Sequence, residues 1–191
     1  MTVQEEQARS ARSYKLLLIF GMISIVMLFA GLTSAMVVSK SRPDWLTDYQ
    51  IPQAFTISTV LILLCSVTFH MAQRAIKQDQ RSKTSLFLGL TLVLGLGFVY
   101  YQFKGFEELF AHRLFPTGKS GSVTIAFLYI LVYVHLAHLL GGIISLLLII
   151  YNHFKQKYSA AQYLGIELGA IYWHFLDALW LYLFLFLYFF K

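Results

Sequence analysis

The chain has 191 residues, of which 58% are hydrophobic and only 13% charged, with a net charge of +6. A soluble domain carries about 25% charged residues, so this composition excludes a water-covered globule and makes a bilayer part of the solvent. The single cysteine, Cys65, excludes an intrachain disulfide and an all-cysteine metal site, and is read as a small buried hydrophobe.

A spanning helix needs about 20 apolar residues. Five stretches qualify, over residues 14–38, 51–75, 84–103, 123–151 and 165–190. They predict an all-α membrane protein with five transmembrane helices, one membrane domain over residues 1–191. The first span is too long for a cleaved signal peptide and has no small-residue cleavage site after it. The second holds His70 near its end, read as a satisfied interfacial histidine. The third carries Gly89, Gly95 and Gly97, small packing contacts, and Gln102, a candidate cross-link between helices. The fourth carries His135-Leu-Ala-His138 and then Gly141-Gly142. The spacing puts both imidazoles on one side of a helix, and the glycines permit close approach, so interhelical hydrogen bonding is expected. The fifth runs Gly169-Ala-Ile-Tyr-Trp-His-Phe-Leu-Asp-Ala-Leu-Trp180.

Lys and Arg set the orientation. One side of the five-span order has Arg9, Arg12, Lys15, Arg74, Lys77, Arg81, Lys83, Lys155 and Lys157. The other has Lys40, Arg42, Lys104, Arg113, Lys119 and Lys191, together with the acidic Asp44, Asp48, Glu107 and Glu108. The richer side is expected to be cytoplasmic, with the N-terminus inside and the C-terminus outside. The positive net charge is therefore read as basic cytoplasmic loops, not as a nucleic-acid footprint.

His174 and Asp177, three apart in the fifth span, share a helix face. Charged groups in hydrocarbon are expensive, so these two join His135 and His138 as a candidate buried polar network that clasps helices. Glu167, at the start of the same span, suits the positive end of the helix dipole. It also suits a lipid ammonium or a cation on a neighbouring helix. Arg74, His153, Lys155 and Lys157, at the inner surface, suit lipid phosphates. Tyr172, Trp173 and Trp180 offer flat apolar surface for acyl chains or for helix packing. No redox motif is present, and no catalytic, cofactor-binding or metal residue is assigned. A metal bound by His135, His138, His174 and Asp177 in a stand-alone membrane redox enzyme is the rival reading. A transporter with a His174–Asp177 proton relay is weaker, since no repeat or broken helix supports it.

The last two spans resemble a known family. Phe127 through Gly142, with its His-x-x-His, resembles the corresponding helix of subunit III of the haem–copper cytochrome oxidases. Gly165 through Trp180 resembles that family's final helix, with Glu, Gly-Ala, Tyr-Trp-His-Phe, Asp and Trp in register. Gly21 to Gly31, Ser58-Thr59 and Gln102 also match, as in the short five-helix bacterial form. Two departures stand out. The family's Ser-Glu-Val reads Ser24-Ile25-Val26 here, so any role of that glutamate is not carried over. The third span ends Gln102-Phe-Lys-Gly105-Phe106, with Glu107 and Glu108 displaced, which suggests a changed loop.

The resemblance implies a non-catalytic accessory subunit of a terminal oxidase in the bacterial cytoplasmic membrane. Such a subunit supports proton uptake and turnover stability of subunit I and binds phospholipid. It implies a two-helix and a three-helix group around a lipid cleft, the first two spans packing on subunit I. Haems and copper are expected in the partner subunits, here subunits I and II, with small subunits or a respiratory supercomplex as further partners. A quinol oxidase is an alternative assembly.

Overall fold

The computed structural model describes residues 3–47, 49–118, 121–160 and 162–190. Asp48, Lys119 and Lys191, counted above for orientation, lie outside the described residues. Among the described residues, five helices are long and apolar enough to cross a membrane. They are α1 (Val3–Val38), α2 (Gln53–Lys77), α3 (Arg81–Ala111), α4 (Val123–Phe154) and α5 (Leu164–Phe189).

α3 outruns its apolar stretch. Lys104 does not end it, because Phe106 and Leu109 are buried on its inner face. Phe106 stacks between Tyr129 and Tyr133 of α4, at 4.8 and 4.7 Å. Lys104 pairs with Glu107 at 2.6 Å on the exposed side. Gly105 lies under the Phe55 ring, and a Cβ there would overlap it. The glycine that suggested a changed loop is instead a helix-packing position.

Three helices stop without glycine. Asp79, Arg113 and Gln156 each take a left-handed conformation, with φ of 55°, 58° and 56°. Each is followed by an amide that reaches five residues back: Gln80 to Ala75, Leu114 to Leu109 and Lys157 to Asn152, at 3.0, 3.0 and 3.1 Å. These bonds satisfy carbonyls that the helix end would otherwise orphan.

Helices α2, α3, α4 and α5 pack on one another, with α2 and α3 the most extensive pair. α1 leans on α4 and α5 through Phe29, Thr33 and Met36. The expected split into the first two and the last three spans is therefore replaced by one helix beside four. Hydropathy ranks how apolar a helix is, not which neighbour its small residues fit. The short connection between α2 and α3 also makes them antiparallel neighbours.

At the α1–α2 end, Ser122 caps α4, accepting from the Thr124 amide at 3.2 Å and donating to the Asp44 carbonyl at 3.1 Å. Thr124 Oγ1 accepts from the Leu46 amide at 2.9 Å. Tyr49 is buried beside α5, which pushes its phenol up to about 12.

Candidate functional site

Several polar side chains of the spans bond between helices. Trp173 and Trp180 are 1% exposed, so neither offers surface to acyl chains. Trp173 Nε1 donates to the Gly142 carbonyl at 3.2 Å, and Trp180 Nε1 to Thr59 Oγ1 at 2.9 Å. Tyr172 donates to the His138 carbonyl at 3.0 Å. These three aromatics are therefore helix-packing groups. The glycines make room for them: a Cβ on Gly95 would meet the Trp173 ring at 3.0 Å, and one on Gly142 would meet Leu176 at 3.1 Å.

Among the described residues, the two histidine rings of α4 make no hydrogen bond across helices. His135 is fully buried, and neither ring nitrogen has a partner among the described residues. Aromatic rings surround it: Trp180 at 5.1 Å, Phe98 at 6.0 Å and Phe29 at 6.4 Å. His138 turns its Nδ1 back to the Val134 carbonyl of its own helix, at 2.7 Å. Helical spacing put both on one side, but an apolar environment met them there.

His174 does clasp a neighbour. Its Nδ1 lies 2.6 Å from Ser66 Oγ on α2. Asp177 is buried, and neither carboxylate oxygen completes a hydrogen bond among the described residues, although Ser66 also approaches it. His70 of α2 is exposed, its ring 6.2 Å from that of His174. The expected four-residue network is thus not continuous. His174 is linked to α2, whereas His135 and His138 stand apart, against rings.

Other links join α2 to α3. Gln102 Nε2 donates to Ser58 Oγ at 2.9 Å, the cross-link expected of it. Thr68 and Thr91 share a hydrogen bond at 2.8 Å. The roles of Ser66, Thr68 and Thr91 are not visible in the sequence. Hydroxyls recurring on the non-lipid side of an apolar run are the signal that points to them.

The groups at the basic end of the bundle separate into three kinds. Glu167 pairs with Lys15 of α1 at 2.7 Å, both partly exposed, so its partner is a cation on a neighbouring helix. His153 turns inward, its Nε2 2.9 Å from Ser85 Oγ and 3.3 Å from the Arg81 carbonyl, and ties α4 to the start of α3 rather than facing phosphates. Arg74, Lys155 and Lys157 stay exposed, with Lys155 4.6 Å from the centre of the Tyr151 ring. Lys157, Lys15 and Glu167 border an open cavity of about 500 Å³ with Tyr158, Tyr163 and Ser10. Burial pushes the Tyr158 phenol up, against an opposing hydrogen bond with Asn152.

Among the described residues, no three His, Cys, Asp or Glu side chains gather as a metal-ligand group. The histidines needed by the rival metal-enzyme reading are not brought together.

The family model for cytochrome c oxidase subunit III matches residues 7–191. A cytochrome c oxidase subunit 3 of Spodoptera frugiperda is 27% identical over 147 residues, covering 76% of this chain and 95% of that protein. The subunit 3 of Drosophila yakuba is 30% identical over 140 residues, 73% of this chain and 50% of its own length. That of Bacillus subtilis is 30% identical over 128 residues, 67% of this chain and 61% of its own length. The chain thus spans about half the length of several relatives it matches. With a match that takes in all five helices and the His174–Asp177 helix that first suggested it, the chain belongs to the cytochrome c oxidase subunit III family.

Proposed function

We propose that this chain is the accessory subunit III of a haem–copper terminal oxidase in a bacterial cytoplasmic membrane, its N-terminus inside and its C-terminus outside. In this reading it does no redox chemistry. It braces subunit I, sustains proton uptake and protects that subunit during turnover. The observation that carries the reading is how the polar groups of a subunit III sequence are used. Trp173, Trp180, Tyr172, Gln102 and His174 all bond to another helix or its backbone. Such bonds set the geometry of a bundle.

Phospholipid is the ligand of this reading. The cavity beside Lys15, Lys157 and Glu167 lies at the basic end of the bundle, where anionic headgroups meet Lys and Arg. Arg74 and Lys155 extend that basic surface. Their attraction to anionic lipid is about 1 kcal/mol per cation near the surface.

The test is purification through a tag on this chain from cells that make the whole oxidase. Haem- and copper-containing subunits are expected to co-purify, while the separated chain carries neither group. Native mass spectrometry is expected to find phospholipid on the chain, reduced in Lys15→Gln/Lys157→Gln. Stoichiometric iron, copper or zinc on the separated chain overturns the accessory reading.

A further inference from the structure

The end of the bundle opposite Lys15 and Glu167 holds a smaller cavity with a different lining. Its volume is about 250 Å³, and Gln50, Ile51, Pro52, Gln53, Glu108 and His112 border it. It lies where α3 stops and α2 begins. His112 follows α3 without leaving its spiral. Its backbone stays near helical, at φ −81° and ψ 8°, and its amide donates to the Glu108 carbonyl at 3.1 Å. Glu108 and His112 are therefore i and i+4 on one turn, where Cβ atoms are about 5–6 Å apart. Among the described residues, neither side chain has a hydrogen bond or an ion pair. Glu108 is half-buried and His112 exposed, so each can turn to meet an ion.

Charge decides which ion fits. The end of α3 carries about −0.5 charge and the start of α2 about +0.5, so the two helix ends nearly cancel. The full negative charge of Glu108 then sets the sign, and it favours a cation. Two neighbouring charges are turned elsewhere. Glu107 is taken by Lys104 at 2.6 Å. Arg113 is exposed and leaves the helix in a left-handed turn. The donors narrow the choice further. Calcium and magnesium take oxygen ligands, whereas an imidazole suits zinc, copper and nickel. Zinc takes four ligands in a tetrahedron. A carboxylate oxygen, an imidazole nitrogen, a glutamine amide oxygen from the facing wall and a water make four.

We propose that Glu108 and His112 form a divalent transition-metal site of the zinc type, which ties the end of α3 to the start of α2 through a glutamine amide oxygen. Structural zinc sites have four protein ligands and catalytic ones three. With two strong side-chain ligands, this site exchanges its ion with the medium and is emptied by a chelator during purification. It is distinct from a resident metal that stays on the separated chain. The site stands on these residues alone, whether or not the subunit reading above holds.

The test is zinc binding by the full chain, purified in the presence of EDTA, freed of it, and held in detergent micelles. Equilibrium dialysis against radioactive zinc is expected to find one exchangeable ion per chain. Glu108→Gln and His112→Ala are each expected to weaken it at least about tenfold, since even the loss of a group behind a ligand costs that much. Circular dichroism checks that both surface variants keep the wild-type helix content. His70→Ala removes an exposed histidine of α2 and is expected to bind zinc as the wild type does. Undiminished binding in Glu108→Gln and His112→Ala, or its loss in His70→Ala, overturns the site. So does a wild-type chain that binds no zinc. Hydrogen exchange reads the tie between helices: zinc is expected to slow the α2 amides from Gln53 to Ser58 in the wild type and not in His112→Ala. Slowing confined to α3 overturns the tie.

Discussion

Helix α1 holds the most apolar window of the five spans, yet only 11% of that window is buried. In α2 and α5 the figure is 44%, in less apolar sequence. The order is the reverse of what a soluble protein would show. Lipid tails are as apolar as leucine, so hydrophobicity places a helix in the bilayer but does not make it pack. What separates the bundle from α1 is close-fitting glycine and polar cross-links. Gly95, Gly105, Gly142 and Gly169 lie against side chains of neighbouring helices, whereas Gly21 and Gly31 of α1 have nothing within 4 Å.

That contrast breaks most sharply at the glycines. Gly105→Leu forces a side chain into the Phe55 ring and is expected to destabilise the bundle by about 3 kcal/mol, as overpacking does. Gly31→Leu on α1 is expected to change stability by less than about 0.5 kcal/mol. Denaturant unfolding of the purified chain in detergent micelles, followed by circular dichroism, compares the two. Equal effects would remove the distinction between α1 and the other four helices.

Indole hydrogen bonds are the next level. Trp180→Phe removes the bond to Thr59 and leaves a buried hydroxyl with one partner fewer, an expected loss of about 1–2 kcal/mol. Tyr182→Phe removes the 3.2 Å link from α5 to Thr33 of α1. An average intramembrane hydrogen bond is worth about 0.6 kcal/mol, and this one is only partly buried. The same unfolding assay ranks them. A larger loss for Tyr182→Phe would mean that α1 is held more firmly than its burial indicates.

Much of this organisation was legible in the sequence, and the part that was not has physical reasons. Five apolar runs placed the helices, because a bilayer demands about 20 apolar residues from each. Gln102 and Gly142 were read as packing positions from residue type and depth alone. The far end of α3 was misread because Lys104 looks like a membrane boundary. Phe106 and Leu109 carry the buried stripe past it, and that stripe is too short to stand out from a linker. Ser66, the partner of His174, is one small residue in a helix full of small and apolar ones. The buried pose of Trp173 and Trp180 was equally hidden, since an indole suits lipid and core alike until its N–H has a partner.

The ends of α2, α3 and α4 were hidden for another reason. Glycine is the usual left-handed stop, and none occurs at Asp79, Arg113 or Gln156. Each carries a Cβ in a conformation that costs an L-residue roughly 1 kcal/mol or more. Arg113→Gly and Gln156→Gly are therefore expected to stabilise the bundle by about 0.5–1 kcal/mol each, since both residues are exposed and lose no packing. A lower midpoint in the unfolding assay would show that these side chains make compensating contacts.

The smallest effect probes how α1 is attached at the basic end. Lys15 and Glu167 are 39% and 29% exposed, so water and salt weaken their 2.7 Å pair. An exposed pair is worth about 0.2–1 kcal/mol. Lys15→Gln is therefore expected to leave global unfolding nearly unchanged while loosening the N-terminal end of α1. Hydrogen exchange of the α1 amides near Lys15 should rise in the variant, and the difference should shrink at 1 M salt, where the screening length is about 3 Å. The amides of α2 near Cys65, enclosed by α3 and α5, should exchange alike in both proteins. Faster exchange there as well would mean that α1 and the other four helices open together, and that a helix with one-tenth of its apolar window buried still stabilises the whole bundle.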